Sequence, residues 1–439
     1  MEQFKKSNLR RELQNRHIQF IAFGGTIGTG LFLGTSITVS LAGPSVIFSY
    51  LISGFIVFLL MRQLAEMITE EPVAGSFSHF AYKYWSNFSG LLSGWSYWFI
   101  QIISGIAALT SVSAYTLYWF PSIPTWKTAL FFFVVVNTVS FLTIKAYGEI
   151  EFWFSVVKVT AVCAMILVGI YILFMNSTLI TGATIKNLWM PAIVGKHAGD
   201  SLFGGFFPYG VTGFITVIPM AIFAFDGLEY IGITAAETSN PKVTIPKATN
   251  QVVFRTLMLY VGSTFVLLSL YHWSNLHETD IPFVMIFDKI GFRYAAWSLN
   301  FIILTAALSV YNGCIYSSSR TLYGLALQNG APKIFLKTTK KGIPIYSNIL
   351  DGILTFLVVP LNYFITNWFE AFQIIVQFIV ACILISWILI TISHMKFKKQ
   401  KKIENYKTIF PTPFYPYSSY LTLIFTIFIF ITLIIKYFF

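Results

Sequence analysis

Apolar residues occupy this chain in long continuous blocks, separated by short polar or basic segments. A membrane-spanning β-strand would instead alternate apolar and polar residues over about ten positions. Each block is close to or above the roughly 20 residues that a helix needs to cross the hydrocarbon core of a bilayer. In lipid such blocks must be helical, because a helix satisfies its own backbone hydrogen bonds. The pattern predicts eleven spans, at 18–40, 45–68, 91–120, 128–144, 152–175, 211–234, 252–271, 295–327, 349–366, 371–393 and 417–438.

The first and the sixth of these predicted spans are interrupted in their middle. The first reads IAFGGTIGTGLFLG and contains Gly24, Gly25, Gly28 and Gly30, whereas the sixth reads PMAIFAFDGLEYIG, with the polar stretch 226–229 at its centre. The two spans start five spans apart, and because five is odd, a second five-span unit would enter the membrane from the opposite side. Paired interrupted spans in inverted repeats indicate the binding site of a transporter.

The predicted fold class is therefore an all-α polytopic membrane protein, built from two inverted five-span repeats and one accessory span. The predicted division of the chain is a cytoplasmic tail (1–17), a first repeat (18–175), an outer loop (176–210), a second repeat (211–394), a basic inner loop (395–416) and the accessory eleventh span (417–439).

Composition and charge agree with a membrane protein. Of the 439 residues, 56% are hydrophobic and only 10% are charged, against about 25% in soluble domains. The net charge of +12 would suit nucleic-acid binding, but most of the 29 Lys and Arg residues fall on the inner side when the N-terminus is placed there, as the positive-inside rule requires. We therefore expect a multi-pass protein of the cell (inner) membrane, embedded in the lipid bilayer. Its N-terminus should be cytoplasmic, its C-terminus outside, and nucleic acid should not be a partner.

One basic cluster lies at residues 396–407. Its simplest interpretation is a topology anchor that keeps this segment in the cytoplasm. Binding of anionic lipid headgroups is the alternative interpretation.

The interruption of the first span has the chemistry to bind an amino acid. Glycines let a helix unwind, and unwound backbone at membrane depth is tolerated where it lines a cavity or is buried in protein. A second half-helix that begins near Thr29 and Gly30 would present free N–H groups and a positive dipole end to a carboxylate. Carbonyls at the end of the first half-helix would suit an ammonium group. The alternative is that Gly24 and Gly28, four residues apart, only allow close helix packing.

The sixth span carries two ionisable residues, which are functional candidates by their position in the membrane. Asp226 could be the counter-charge of a substrate amine or of a cationic side chain, and Gly227 belongs to the same predicted substrate site. Alternatively, Asp226 is the N-cap of the second half-helix, with Glu229 completing a capping box. Phe223 lies one helical turn before Asp226. It is either an aromatic lid over the substrate or one of the many packing residues in a chain with 45 Phe residues.

Lys158 in the fifth predicted span has two interpretations. Its side chain could extend back to the inner interface near Glu149 and Glu151, or it could be a buried amine that takes and releases the coupling proton. Three further charged residues near inner span ends are predicted to be gate or anchor residues rather than substrate ligands: Arg62, Glu66 and Arg320.

The sequence offers no catalytic or metal-binding constellation. Its six His and three Cys residues are scattered, whereas a membrane enzyme needs a convergent catalytic set. We therefore expect no enzymatic activity, no metal site, no cofactor and no obligate protein partner. An amino-acid sensor that binds its ligand without moving it is the remaining alternative.

Several long strings carry a family resemblance. They read NRHIQFIAFGGTIGTGLFLG, MRQLAEMITEEPVAGSFSHFAYKYW, GEIEFWFSVVKV, GLEYIGITAAETSNPKVTIPKATNQ and AALSVYNGCIYSSSRTLYGLA. The chain, up to about residue 400, resembles the bacterial amino-acid permeases of the amino acid–polyamine–organocation superfamily. Within that family it is most similar to the aromatic amino-acid and phenylalanine permeases.

The resemblance implies the LeuT-type fold and the import of amino acids by proton symport, with protons rather than sodium as the coupling ion. It implies that Thr29 and Gly30 bind the substrate carboxylate and that the carbonyl of Thr26 contacts the amine. It also implies that Lys158 occupies the place of a sodium ion in sodium-coupled relatives.

In the sixth span, the resemblance implies that Phe223 is an aromatic gate and that the carbonyls of Phe223 and Asp226 contact the amine. Two positions depart from the aromatic permeases. Those proteins have Glu in the third span where this chain has Ala108, and they usually have Gly at the position of Asp226. The chain also has eleven predicted spans where its relatives typically have twelve. The expected substrates are therefore aromatic or other neutral amino acids, with cationic or small neutral ones, selected by Asp226, as the alternative.

Overall fold

The computed structural model describes residues 9, 11–175, 180, 182–191, 205–276, 283–284, 293–364 and 368–438. Within these residues the chain is predominantly helical, and its β-type pairings are isolated bridges. The α-helices, in chain order, are α1 (Asn15–Thr26), α2 (Thr29–Phe32), α3 (Gly34–Ala42), α4 (Val46–Glu70), α5 (Ser76–Tyr84), α6 (Asn87–Thr116), α7 (Thr125–Val139), α8 (Ile144–Met175), α9 (Gly210–Phe223), α10 (Tyr230–Ile233), α11 (Pro241–Leu270), α12 (Arg293–Leu327), α13 (Ile345–Thr355), α14 (Val358–Phe364), α15 (Trp368–Ile403) and α16 (Tyr417–Phe438).

Every predicted span contains at least one of these helices, so the predicted all-α polytopic fold class is confirmed. The first span comprises α1, α2 and α3, the sixth comprises α9 and α10, and the ninth comprises α13 and α14. Among the described residues, eight helical segments are long and apolar enough to cross a membrane by length and composition, whereas α7 and α9 are apolar but shorter. The shortness of α9 follows from the interruption of the sixth span.

Two helical features differ from the predicted spans. Helix α11 begins at Pro241, well before the predicted start at residue 252. Proline suits this position because the first turn of a helix leaves its N–H groups without partners in any case. The short helix α5 lies between the second and third spans and was not predicted, because its alternation of aromatic and small polar residues is too brief to form a span.

The predicted basic loop is helical over its first part. Helix α15 continues through the start of the range 395–416 and ends only at Ile403. Lys401 and Lys402 in its last turn favour this extension, because cations are stabilised at the negative C-terminal end of a helix. The division into inverted repeats stays a prediction, and part of the predicted outer loop 176–210 lies outside the described residues.

The outer surface of the helical assembly is strongly apolar. Phe131 on α7 is 62% exposed, and Leu167 on α8 and Ile424 on α16 are each 67% exposed. Large apolar side chains in this number would be unfavourable in water, whereas the hydrocarbon core of a bilayer solvates them. The exposed face therefore fits the lipid contact expected of a multi-pass membrane protein.

The two interrupted spans meet in the interior of the protein. Helix α1 packs against α8, α11 and α12, and α10 packs against α1. Gly227, in the interruption of the sixth span, has a φ of +99°. A Cβ at this residue would lie 3.0 Å from the carbonyl carbon of Gly25. Glycine is therefore needed here both for its backbone conformation and for the close approach of the two unwound segments.

We expect Gly227→Ala to destabilise the fold by about 1–3 kcal/mol, because alanine is strained at this φ and its Cβ would meet the backbone of Gly25. The apparent melting temperature of the purified protein should fall. Gly262→Ala on α11 is the matched control, since its added Cβ would find only Ile166 Cδ1, at an ordinary 3.5 Å. Equal melting temperatures for the two variants would contradict a tight contact between the interruptions.

Candidate substrate site

The helix of the first span breaks between Thr26 and Thr29. Helix α1 ends at Thr26, and after Ile27 and Gly28 the chain becomes helical again at Thr29, where the sequence predicts the second half-helix. Gly28 lies so close to α12 that a Cβ would be 2.4 Å from Val310 Cγ2. Gly28 therefore lies in the unwound backbone and also allows close packing against α12. The two interpretations of the glycine cluster, a binding site and close helix packing, are compatible.

The first turn after this break has unused backbone donors. Phe32 donates to the carbonyl of Gly28 at 3.2 Å. For the N–H groups of Thr29 and Gly30, no backbone acceptor is found in the described part of the chain, as is usual in a first turn. Gly30 faces the sixth span, since a Cβ there would lie 3.1 Å from Ala224 Cα. The start of α2, which carries the unused donors, therefore lies beside the unwound part of the sixth span.

The carbonyl of Thr26 is already engaged in this structure. It accepts hydrogen bonds from the Tyr260 hydroxyl at 2.7 Å and from the N–H of Gly28 at 3.1 Å. A carbonyl oxygen has two lone pairs, and both are used here. Contrary to the role that the resemblance implies, this carbonyl is not free to bind an ammonium group in the conformation observed.

The sixth span unwinds over residues 224–229, between the end of α9 and the start of α10. Glu229 occupies the N-cap position of α10, and no side chain caps this helix. The predicted N-cap role of Asp226 is therefore wrong, because the half-helix begins later than the capping box requires. Asp226 lies within the unwound segment itself.

Glu229 fastens the unwound segment to its surroundings. Its Oε1 accepts from Trp387 Nε1 on α15 at 2.8 Å, and its Oε2 accepts from the N–H of Gly227 at 3.2 Å. The side chain is buried, with both carboxylate oxygens engaged. The sequence makes Glu229 a gating or structural candidate, and these contacts favour the structural role. Trp387 was missed by the sequence analysis because only the fold brings it near the sixth span.

Asp226 has an unused carboxylate oxygen. Its Oδ2 accepts from Ser104 Oγ on α6 at 3.4 Å, whereas Oδ1 is buried without a hydrogen-bond partner. Ser104 lies one helical turn before Ala108, the position at which the resemblance to the aromatic permeases implies Glu. The carboxylate of Asp226 therefore lies against the helix that lacks the family's acidic residue. A buried polar atom without a partner needs an explanation, and a bound cationic group would supply the missing contact.

A second unused polar atom lies nearby on α6. Gln101 Oε1 accepts from the Tyr230 hydroxyl at 3.0 Å, whereas Gln101 Nε2 is buried without a partner. Neither Gln101 nor Ser104 is among the residues predicted from the sequence. Their three-residue spacing, which places them on one face of a helix, is the signal that could have found them. Together with Asp226, they form a group of buried polar residues where α6 packs against the sixth span.

Phe223 lies at the junction of both interruptions. Its ring approaches that of Phe372 on α15 edge to face, with centroids 6.3 Å apart. A Cβ at Gly30 would lie 3.6 Å from Phe223 Cδ1. The ring therefore covers the start of α2, a position that suits the predicted aromatic lid and also contributes to packing.

Lys158 is fully buried on α8, so extension to the inner interface is wrong. Its Nζ donates to the carbonyl of Gly24 on α1 at 2.6 Å and to Ser309 Oγ on α12 at 3.0 Å. The ammonium thereby joins three helices just before the break in the first span. Snorkelling fails because the Gly24 carbonyl and the Ser309 hydroxyl provide polar partners in the interior, and the side chain has no need to reach water.

The network of Lys158 continues to a buried carboxylate. Ser309 Oγ donates to Glu151 Oε2 at 2.5 Å, and Asn312 Nδ2 donates to Glu151 Oε1 at 2.7 Å. Ser309 therefore accepts from the lysine and donates to the glutamate, linking two groups that can each carry a proton. Glu149, the other acidic residue considered for Lys158, instead pairs with Arg16 at 2.5 Å.

Arg320 on α12 contacts the segment between α10 and α11. Its Nε lies 3.4 Å from Glu237 Oε1, and its guanidinium lies over the ring of Tyr316, whose hydroxyl also donates to Glu237. The backbone of the same segment pairs with the N-terminal region: the N–H of Leu13 donates to the Glu237 carbonyl, and the N–H of Ser239 donates to the Leu13 carbonyl. These contacts fit the predicted gate or anchor role of Arg320.

Arg62 and Glu66, on α4, both hold the segment that leads to α16. Arg62 donates to the carbonyl of Pro411 at 2.5 Å and lies over the ring of Phe410. Glu66 accepts from the N–H of Thr412 at 2.8 Å. Both side chains contact the segment rather than the interruptions, in agreement with anchoring.

His394 also contacts Glu66, through Nε2 at 2.8 Å, and is fully buried. From the sequence, His394 lies at the end of a predicted span, where interfacial side chains are common, and no role is predicted for it. Its burial follows from the close packing of α4, α15 and α16, which a single span does not reveal. Nowhere in the described ranges, this region included, do His, Cys, Asp and Glu form a group of three or more that could hold a metal ion.

Comparison with known proteins agrees with this architecture. The sequence model of the family described as "Amino acid permease" matches residues 17–439. The aromatic amino acid transport protein AroP of Escherichia coli (strain K12) is 47% identical over 417 residues, which cover 95% of this chain and 88% of AroP. AroP of Salmonella typhimurium (strain SL1344) is 48% identical over the same shares of the two chains.

A more distant relative, the amino-acid permease AapA of Bacillus subtilis (strain 168), is 39% identical over 430 residues, covering 98% of this chain and 90% of AapA. The family match and these identities extend over both interrupted spans and the helices around them. The chain belongs to the amino acid permease family.

Proposed function

We propose that this protein is a secondary active transporter that imports amino acids, aromatic or other neutral ones, by proton symport with alternating access. The observation that carries this proposal is the meeting of two unwound segments at the centre of the helical assembly. One contributes the free N–H groups of Thr29 and Gly30, and the other contributes the unused carboxylate oxygen of Asp226. These groups are the partners that an α-carboxylate and an α-ammonium require.

The ammonium partner is proposed to be the Asp226 carboxylate. The carbonyl of Thr26 is engaged by Tyr260, so the buried Oδ1 of Asp226 is the stronger candidate. A contact between a carboxylate and an ammonium is charge-assisted and stronger than one to a neutral carbonyl. Gly227 permits this arrangement because its positive φ turns the chain directly after Asp226.

Aromatic residues support the proposed side-chain preference. Phe223 and Phe372 form an edge-to-face pair beside Gly30, and a substrate ring could extend this arrangement with favourable geometry. The printed name of the relative AroP, an aromatic amino acid transport protein, points to the same substrate class.

Proton coupling is proposed to act through Lys158. A protonated Lys158 donates a charge-assisted hydrogen bond to the Gly24 carbonyl, just before the break in α1. Loss of the proton would weaken this bond and free α1 to move. Glu151, reached through Ser309, is positioned to exchange the proton. The resemblance implies that Lys158 occupies the place of a sodium ion in sodium-coupled relatives. Its ammonium group would supply the positive charge there, which supports coupling to protons alone.

A second candidate function is import of cationic or small neutral amino acids selected by Asp226. The unused Oδ1 favours it, because this oxygen could bind a cationic side chain instead of the α-ammonium. A sensor that binds amino acids without transporting them is the third possibility. Measurement of flux separates it from both transporters.

In vesicles containing the purified protein, we expect labelled phenylalanine to accumulate when the outside is made acidic. Accumulation should collapse on adding a protonophore and should not change when potassium replaces sodium. Binding without accumulation would identify a sensor, and accumulation driven only by a sodium gradient would contradict proton coupling.

We expect Lys158→Ala to lose proton-driven accumulation, because the charged contact between α8 and α1 disappears. Phenylalanine should still stabilise the variant against heat, since Lys158 does not face the unused groups of the site. The control is Lys186→Ala, which removes an exposed lysine. Full proton-driven accumulation by Lys158→Ala would show that coupling occurs elsewhere.

We expect Asp226→Asn to weaken binding of all transported amino acids by about 10- to 100-fold, since a hydrogen bond to a charged group contributes about 1.5–3 kcal/mol. Competition of labelled-phenylalanine uptake by each of the twenty amino acids measures this. Glu229→Gln is the matched control, because that carboxylate is buried nearby with both oxygens engaged. It should lower stability without changing the order of substrates.

The pattern of loss in Asp226→Asn separates the two transporter candidates. A loss restricted to cationic amino acids would favour side-chain selection, and Asp226→Gly should then shift preference towards aromatic substrates. An unchanged competition profile in both variants would remove Asp226 from the substrate site.

A further inference from the structure

A basic pocket lies far from the interruptions, between the end of α15 and the segment that leads to α16. The cavity measures about 940 Å³, within the size range of small-molecule sites. Its lining includes six lysines: Lys396, Lys398, Lys399, Lys401, Lys402 and Lys407. We refer to this cavity as the basic pocket.

Four of these lysines form no ion pair with the described residues, and one of the four, Lys396, lies over the ring of Trp85. Lys398 pairs with Glu66 and Lys401 pairs with Glu404. Lys399, Lys402 and Lys407 are exposed, and none of the described acidic groups lies within ion-pair distance of them. Cations brought together around one cavity repel each other, so the pocket favours an anionic ligand.

The walls of the pocket are held in place by contacts with α4. Glu70 accepts from the Tyr406 hydroxyl at 2.9 Å and from the N–H of Ile409 at 2.7 Å. Glu66 accepts from Thr408 Oγ1 at 2.5 Å and from the N–H of Thr412 at 2.8 Å. The segment that carries Lys407 is therefore fixed against a transmembrane helix, so the lysines are presented by a built site rather than by a loose tail.

An apolar stripe begins at the pocket and runs along α16. Tyr420 lines the pocket, and the spacing of three or four residues puts the members of the stripe on one helix face. All are exposed, and they are Tyr420, Ile424, Phe428, Ile431 and Ile435. A soluble phosphate has no apolar part that could contact this stripe, whereas the acyl chain of a lipid would lie along it.

We propose that the basic pocket binds the phosphate headgroup of an anionic phospholipid, with an acyl chain lying along the α16 stripe. Lysine ammonium groups bind phosphate as point charges, and tyrosine rings suit the boundary between headgroups and acyl chains. The bound lipid joins α15 and α16 through its headgroup, while Glu66 and Glu70 join the same segment to α4. The proposal is independent of the transported substrate and goes beyond a topology anchor, because it requires a defined lipid site.

The test uses the full-length protein, purified in a neutral detergent and titrated with phosphatidylglycerol, with binding measured by native mass spectrometry. The triple variant Lys399→Gln, Lys402→Gln, Lys407→Gln removes three of the four lysine charges without an ion pair and keeps Lys396, which lies over Trp85. At about 1 kcal/mol for each lysine near an anionic lipid, it should bind on the order of 100-fold more weakly. The matched control is Lys333→Gln, Lys337→Gln, Lys341→Gln, which removes three exposed lysines outside the pocket and should bind like the parent.

Two further arms separate the possible ligands. Phosphatidylcholine, which lacks net charge, should bind far more weakly than phosphatidylglycerol. Inorganic phosphate should not displace the bound lipid at equal concentration, because it cannot contact the α16 stripe. Displacement by inorganic phosphate would overturn the proposal in favour of a soluble-anion site, and equal binding of the two lipids would overturn the role of charge.

A single substitution guards against misfolding of the triple variant. Lys402→Gln leaves five lysines in the pocket and most of the topology signal, and should weaken phosphatidylglycerol binding by about fivefold. The corresponding triple substitution to arginine keeps the charge and should retain binding. Parent-like binding by both the glutamine triple variant and Lys402→Gln would overturn the proposal.

Discussion

The structure depends on one constraint, which is that backbone polar groups inside a bilayer need partners within the protein. The first and sixth spans each interrupt their helical hydrogen-bond pattern in the interior of the protein. The surrounding helices pack around these breaks. Tyr260 satisfies the carbonyl of Thr26, Lys158 satisfies that of Gly24, and Glu229 satisfies the N–H of Gly227. At the breaks themselves, the N–H groups of Thr29 and Gly30 and the Oδ1 atom of Asp226 have no partner among the described residues. These groups are the ones that we propose to bind the substrate.

The charged residues of the interior divide according to whether their contacts are complete. Glu229 and Glu66 have both carboxylate oxygens engaged and connect helices that are distant in sequence. Asp226 has one oxygen without a partner, and Lys158 shares its ammonium between a backbone carbonyl and a hydroxyl. Removing one partner of a complete buried pair leaves an uncompensated charge. An incomplete contact can instead accept a ligand or exchange a proton, so it is the chemically available part of the site.

The sequence allowed the spans, their interruptions and the first residue of the second half-helix, Thr29, to be predicted, because these depend on local composition and on glycine. It did not allow the partners of those segments to be predicted. The contact between Thr26 and Tyr260 joins residues far apart in the chain, and Trp387 reaches Glu229 only because α15 folds across the sixth span. The capping hypothesis for Asp226 failed for a related reason. The unwound segment is longer than a capping box, since Gly227 turns the chain to meet Gly25. The family resemblance implied substrate contacts for both Thr26 and Asp226. The structure shows that the Thr26 carbonyl already has a partner, whereas one carboxylate oxygen of Asp226 has none.

The backbone pairing of Leu13 with the segment after α10 has a mechanical consequence. Leu13 lies just before α1, is fully buried, and is joined by two backbone hydrogen bonds to the chain between α10 and α11. The start of the first interrupted span and the end of the sixth are thereby joined to one another. A tilt of α1 would therefore displace the segment between α10 and α11 through these two hydrogen bonds. Any movement that separates the two spans at this point must either break these two hydrogen bonds or move both half-spans as one body.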